Sequence, residues 1–298
     1  MIVVFGSTNL DQVGTVTRLP KPGETVAGGI FSMAPGGKGA NQALAARRAG
    51  AEVRHVSAVG EDAFADMALD LLKKGGVDLS RMRRTEAATG IAMIFVDAAG
   101  ENVIAVLPGA NGTMSAEDAE RGLADLKAGD TLLVQQEVPQ AATRRALELA
   151  RQRGATSVLN TAPFLDDTAT LAGMADIVVA NETEFALLSG RPIEELDAAM
   201  ANWVKETGRT IVVTLGPDGA RAQTPDASYA VPAHKVTPVD TVGAGDTFCG
   251  YFAAALDAGL PFETALRRAA VAGSLACLNP GAQPAIPLAA AVDKVLAG

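Results

Sequence analysis

Short aliphatic and β-branched runs alternate along this chain with longer stretches in which Ala, Leu and charged residues recur at helical spacing. The apolar runs Ile2–Phe5, Val53–Val59, Thr131–Gln135, Ser157–Asn160, Ile177–Ala180 and Thr210–Leu215 predict strands buried on both faces. Between them Asn41–Ala49, Ala63–Lys74, Ala141–Arg153, Glu182–Ser189 and Leu196–Thr207 predict helices, with Gly50 and the Gly75-Gly76 pair as stops. Two more helices are expected at about Ala244–Ala258 and Phe262–Leu278. This rhythm predicts an α/β fold, a doubly wound, mostly parallel sheet with helices on both faces.

Two segments break the rhythm. Asp11–Met33 holds two extended stretches around the turn signal Pro20-Lys-Pro-Gly23, and Thr89–Val106 reads as a hairpin, Ile91–Val96 and Asn102–Val106 flanking Asp97–Gly100. Strands with no helix between them do not belong in a βαβ core. They are expected to form a small second sheet, about residues 11–34 and 89–107, projecting from a single domain over residues 1–298. Such a sheet suits a lid over the carboxyl ends of the core strands, where ligands bind in open α/β sheets; an edge extension is the plainer alternative.

Composition narrows the function. Of 298 residues 48% are apolar, which supports a large core, and the net charge of −9 lacks the basic footprint of a nucleic-acid binder. No run reaches the ~18 apolar residues of a membrane span, so no membrane partner is expected. The N-terminus has no basic region ahead of its apolar run and reads as a strand rather than a secretion signal. The chain is therefore expected in the cytoplasm, where the glycosylation patterns at Asn111 and Asn181 carry no meaning. Cys249 and Cys277 have no metal-binding spacing and read as small buried fillers. Of the two histidines, His55 and His234, the latter falls in an expected strand with Lys235 and Val236 and receives no role.

Four segments carry candidate chemistry. Asp240–Thr247 reads Asp-Thr-Val-Gly-Ala-Gly-Asp-Thr and opens a helix. Its glycines let successive N–H groups of Gly243, Ala244 and Gly245 point into one space, and a helix N-terminus adds roughly half a positive charge. That is an anion hole for a phosphoryl group in transfer, with Asp246 placed to accept a proton from a hydroxyl. A helix cap on a tight turn is the alternative. Pro35–Asn41 is glycine-rich but is neither a P-loop nor a dinucleotide fingerprint, which disfavours a nicotinamide dehydrogenase. Its close-approaching backbone and the Asn41 amide suit a polyhydroxylated ligand, or simply a turn into a helix. Asn9 and Asp11 lie beyond the first strand, two apart, and suit two hydroxyls, or an Asx turn. Asn181–Glu184 follows a strand and suits water-mediated Mg²⁺ near phosphates, or an N-cap, or both.

In order, spacing and identity these segments resemble the ribokinase branch of the PfkB carbohydrate kinase family. The resemblance spans nearly the whole chain and includes Pro22–Val26, Gly36–Gln42, Gly100–Ile104, Asn181–Glu184, Thr214–Gly216, Asp240–Thr247 and Gly281–Pro284. It implies a ribokinase-like fold with a β-lid and MgATP-dependent phosphorylation of a sugar hydroxymethyl group, D-ribose first. Fructose, deoxyribose or a nucleoside are the alternative acceptors, and a non-catalytic sugar-binding regulator the alternative class. By resemblance Asp246 is the base, and the N–H groups of Gly243, Ala244 and Gly245 the anion hole. Asn9, Asp11, Gly37, Lys38, Asn41 and Glu137 hold the sugar. Asn181, Glu184, Thr214, Gly216, Gly219 and Gly245 lie along ATP and Mg²⁺. A monovalent cation, K⁺, is implied beside the anion hole, ligated by the Asp240 side chain and the carbonyls of Val242, Ala276, Asn279 and Gly281; Ala285 offers no hydroxyl as a further ligand. Pairing of two chains through the lids is implied as well.

Overall fold

A computed structural model describes all residues from Met1 to Gly298. The first elements are β1 (Ile2–Phe5), β2 (Asn9–Val16), β3 (Gly28–Gly36), α1 (Lys38–Arg48), β4 (Val53–Val56), β5 (Ala58–Gly60), α2 (Ala63–Gly75), β6 (Arg83–Thr85), β7 (Gly90–Val96) and β8 (Asn102–Leu107). Then come α3 (Ala116–Gly122), β9 (Thr131–Val134), α4 (Gln140–Arg153), β10 (Thr156–Asn160), α5 (Thr168–Met174), β11 (Ile177–Asn181), α6 (Glu182–Ser189), α7 (Leu196–Thr207) and β12 (Thr210–Thr214). The chain ends with β13 (Ala220–Gln223), β14 (Ser228–Val231), α8 (Ala244–Asp257), α9 (Phe262–Ala276), α10 (Ala282–Ala285) and α11 (Ala289–Leu296).

Eight strands form the main sheet in the order β14-β13-β12-β11-β10-β9-β1-β4. Every pair from β4 to β12 is parallel; at the other edge β13 runs against its neighbours, and β14, antiparallel to β13, returns to the common direction. The central strands are apolar throughout because both faces are covered. In β1, Ile2 and Val4 join the core under α1, α8 and α9, while Val3 and Phe5 join the core under α3, α4 and α7. All four side chains are fully buried, each contributing roughly 1.5–3 kcal/mol.

The second sheet has four strands in the order β3-β2-β7-β8. It consists of two antiparallel hairpins, β2–β3 and β7–β8, joined through the parallel pair β2–β7, so the sheet is mixed. Asn9 and Asp11 therefore lie within β2, on one face, rather than in a loop.

Three expectations need correction. Val53–Val59 is two strands: the Ser57 carbonyl accepts the Arg83 N–H at 2.9 Å, and β5 leaves the main sheet to pair with β6. His234 is in no strand; Pro232 precedes it, and its N–H donates to Ser274 Oγ at 3.2 Å. Cys249 is buried as expected, but Cys277 is only half-buried, because α9 ends at Ala276.

Candidate active site

The carboxyl ends of β1, β9, β10, β11 and β12 point to one side, and the residues following them line two adjoining cavities. The larger, about 700 Å³, is lined by Asn9, Asp11, Gly37, Lys38, Asn41 and Glu137, with the small sheet's Ala92, Ile94, Ile104 and Val106 as an apolar wall. The smaller, about 150 Å³, is lined by Asn160, Asn181, Glu184, Thr214 and Gly245. Lys38, Gly243 and Asp246 line both.

Asp246 sits in the first turn of α8, 7% exposed, and makes no capping bond to that helix. Its oxygens accept instead from Asn41 Nδ2 and Gln42 Nε2, both at 2.9 Å. Gln42 is oriented in turn by Gln135, whose Nε2 donates to Gln42 Oε1 at 2.6 Å. The Gln42 amide also reaches Asn160 Oδ1 at 3.1 Å. Gln42, Gln135 and Asn160 were assigned no role from the sequence. Gln42 stood inside the glycine motif, but a neutral amide carries no local signal of what it touches.

Gly243 caps α8 with φ 76°, the left-handed conformation glycine tolerates. The Ala244 N–H turns back to the Thr241 carbonyl at 3.2 Å, whereas the N–H groups of Gly243, Gly245 and Asp246 find no backbone partner. The free donors at this helix N-terminus are thus Gly243, Gly245 and Asp246, not Ala244, and open space lies in front of Gly245.

On the opposite wall Gly37, φ 88°, caps the start of α1, and a Cβ there would lie 2.7 Å from the Asn9 nitrogen. Glu137 Oε2 accepts from Ser7 Oγ at 2.5 Å and from the Lys38 N–H at 2.9 Å, which satisfies a donor of α1 and leaves Oε1 to the cavity. The charge of Asp246 raises the affinity of Lys38 for its proton, against the opposing effect of burial, so the ammonium persists between the two cavities. Burial, then the charges of Glu137 and Asp246, push the Asp11 carboxyl up to about 7, with Lys38 pulling the other way.

Asn181 and Glu184 form a reciprocal cap on α6, Asn181 Oδ1 accepting the Glu184 N–H at 2.8 Å and Glu184 Oε2 accepting the Asn181 N–H at 3.0 Å. Thr161 Oγ1 donates to the same Oε2 at 2.8 Å. The cap thus uses one end of each side chain, leaving Glu184 Oε1 and Asn181 Nδ2 for a ligand. Gly216 and Gly219 line neither cavity. They shape the β12–β13 turn, where the Leu215 N–H donates to the Gly219 carbonyl at 2.8 Å.

Asp240 ties two segments together, its Oδ1 accepting the Val242 N–H at 3.0 Å and its Oδ2 the Gly281 N–H at 2.8 Å. In the two segments it joins, the carbonyls of Val242, Asn279 and Gly281 accept no backbone N–H. The Ala276 carbonyl at the end of α9 is in the same position, because its helical donor would be Pro280, which has no N–H. A carboxylate joining two segments whose carbonyls lack donors is chemically suited to a hard monovalent cation.

A mostly parallel sheet, a buried carboxylate on a glycine-opened helix, and a polar pocket beside a smaller one have the arrangement of a phosphotransferase of the α/β class. The model for pfkB family carbohydrate kinases matches residues 1–289. The ribokinase of Staphylococcus aureus (strain COL) is 39% identical over 99% of each chain. The deoxyribokinase of Salmonella typhi is 35% identical over 96% of this chain and 95% of its own. The structure of Arabidopsis thaliana ribokinase complexed with ribose and ATP superposes with a TM-score of 0.89 at 31% identity, covering 99% of this chain and 98% of that one. This chain belongs to the pfkB family of carbohydrate kinases. It is an ATP-dependent sugar kinase.

Proposed function

We propose that the chain transfers the γ-phosphoryl group of MgATP to the 5-hydroxymethyl group of D-ribose, giving ribose 5-phosphate and ADP. The observation that carries this reading is the position of Asp246, buried on the wall common to the larger cavity, lined by Asn9, Asp11, Asn41 and Glu137, and the smaller one, lined by Asn181 and Glu184. The larger cavity has no aromatic side chain in its lining, so a nucleoside base would find nothing to stack on. In this reading Asn9, Asp11, Asn41 and Glu137 hold the sugar hydroxyls, and Asp246 takes the proton of the attacking one. The free N–H groups of Gly243, Gly245 and Asp246, with the Lys38 ammonium, face the negative charge of the phosphoryl group in flight. Asn181 Nδ2 is a donor to phosphate, and Glu184 Oε1 accepts from waters around Mg²⁺, which screens phosphate charge when bound. The small sheet acts as a lid that excludes water from transfer. The test is ADP release from MgATP across D-ribose, 2-deoxyribose, fructose and nucleosides. Turnover is expected first with ribose; turnover first with 2-deoxyribose, which the relative from Salmonella typhi makes the second reading, would overturn the substrate.

Asp11 gives the reaction a pH dependence. A carboxylate accepts from hydroxyls better than a carboxylic acid does, so sugar binding improves as Asp11 loses its proton. Sugar KM is expected to fall as pH rises through about 7, while ATP KM does not follow. Folding responds in the opposite sense. Asp11 ionises near 3.8 when unfolded and about 7 when folded, so the free protein loses stability as pH rises through that window. A sugar KM that is flat across about pH 6–8 would contradict the assignment.

The cation reading places K⁺ among Asp240 and the carbonyls of Val242, Ala276, Asn279 and Gly281, where it would stiffen the loop leading into α8. Activity is expected to be several-fold higher in K⁺ than in a bulky organic cation; equal rates would contradict the site.

The small sheet leaves Ile30 73%, Phe31 63% and Val103 53% exposed, with Met33, Met93, Phe95 and Leu107 also in solvent. An apolar surface of this kind is typical of a contact between chains. We propose that a second copy of the chain covers it with the same sheet. Phe31→Glu is expected to yield a monomer by sedimentation; an unchanged sedimentation coefficient would contradict this.

A further inference from the structure

Asn111 is 1% exposed and has no part in the scheme above. It lies on the tight turn Gly109–Thr113, directly after β8, the last strand of the small sheet. Its amide fills the gap between that turn and the end of β1. Oδ1 accepts the Thr8 N–H at 2.9 Å; Nδ2 donates to the Thr8 carbonyl at 3.1 Å and to Asn9 Oδ1 at 2.7 Å.

The polarity of this junction is set by the backbone. A peptide N–H only donates and a peptide carbonyl only accepts, so Thr8 decides which end of the Asn111 amide is oxygen. The second N–H of Asn111 then requires an acceptor, and Asn9 must turn its oxygen inward. Asn9 Nδ2, the other end of that amide, donates to no group of the protein and belongs to the wall of the 700 Å³ cavity. Thr8 is itself held, its hydroxyl lying 3.0 Å from both His55 Nε2 and Ser57 Oγ. Gly90 closes the junction from the lid side. A Cβ there would lie 2.3 Å from Asn111 Nδ2 and 2.4 Å from Asn9 Oδ1.

We propose that Asn111 is a positioning residue for sugar selection: it locks Asn9 as a hydrogen-bond donor toward one sugar hydroxyl, beside Asp11, which accepts from another. This rests on the sugar-kinase reading of the cavity. A donor and an acceptor two residues apart on β2 then read the sugar as an oriented pair. The enzyme loses binding to an analogue that lacks the hydroxyl facing Asn9.

Asn111→Asp tests this. It keeps the acceptor for the Thr8 N–H but sets an oxygen against Asn9, so Asn9 turns over and offers oxygen to the sugar. Sugar KM is expected to rise roughly 10- to 100-fold, with ATP KM unchanged. The wild type discriminates against one monodeoxy sugar, and that discrimination collapses in the variant. In an Asn9→Ala background Asn111→Asp adds no more than about twofold, because it acts through Asn9. Should Asn111→Asp fail to melt as a folded protein, Gly90→Ala wedges the same junction and carries the same readouts. An unchanged sugar KM, an equal rise in ATP KM, or an undiminished effect in the Asn9→Ala background would overturn the proposal. A wild type that phosphorylates no sugar would instead remove the reading of the cavity on which it stands.

Discussion

Asp246→Asn is expected to lower kcat by about 10²- to 10⁴-fold, the usual contribution of a positioned general base. The amide is nearly the same size but cannot take the proton of the attacking hydroxyl. Because that proton moves only in the transition state, kcat and kcat/KM should fall together. The replacement also sets an NH₂ group against one of the two amides, Asn41 Nδ2 and Gln42 Nε2, that now donate to the carboxylate. An unpaired buried donor costs about 1–3 kcal/mol, so a melting curve belongs beside the kinetics. Retained turnover in a folded Asp246→Asn protein would remove Asp246 from the role of base.

Gly243→Ala carries the second large effect. Alanine at φ 76° costs about 1–2 kcal/mol, and its Cβ would lie 2.8 Å from the Ala282 Cβ and 2.9 Å from the Ala282 Cα. The loop must therefore move, and two things move with it. One is the Gly243 and Gly245 N–H pair, whose loss from the anion hole is expected to reduce kcat by about 10²- to 10³-fold. The other is the junction between Asp240 and the Gly281 N–H, one residue from Ala282, so the response to K⁺ should weaken in parallel. Gly173→Ala is the control: it lies on the exposed side of α5 with nothing within 4 Å of a new Cβ, and the rate should not change. A folded Gly243→Ala enzyme with full activity would mean that the glycine serves the turn and not the phosphoryl group.

Where the sequence reading succeeded, burial on both faces or strong end signals explain it. β1, α6 and α7 lie at the expected bounds. The first is an uninterrupted apolar run, and α6 and α7 each end in a left-handed glycine, Gly190 and Gly208. What escaped it was set by partners. β13, Ala-Arg-Ala-Gln, alternates in burial but is only four residues long and has no β-branched or aromatic residue, so it is fixed by the antiparallel edge that β12 offers. β6 is a three-residue strand that Ser57 and β5 call into being. α3 and α5, seven residues each, are too short to show a helical period. Asp246 and the glycine turns were visible because they stand at helix starts; Asp11 was legible from its pairing with Asn9, although it lies within β2, and Glu137 through the family resemblance. The amides Gln42, Gln135, Asn160 and Asn111 were not, since each acquires its meaning only through a neighbour distant in the chain. Asn111 even carried a misleading glycosylation pattern while lying fully buried between Thr8 and Asn9.

The central claim is that the chain carries phosphate from ATP to the primary hydroxyl of ribose, with Asp246 as the base. Its most direct test is the product formed from ¹³C-labelled ribose and MgATP, followed by ¹³C and ³¹P magnetic resonance. Phosphorus coupling at C5, absent with Asp246→Asn, is the predicted result. Coupling at C1, or release of free phosphate with no coupling to the sugar, would contradict it.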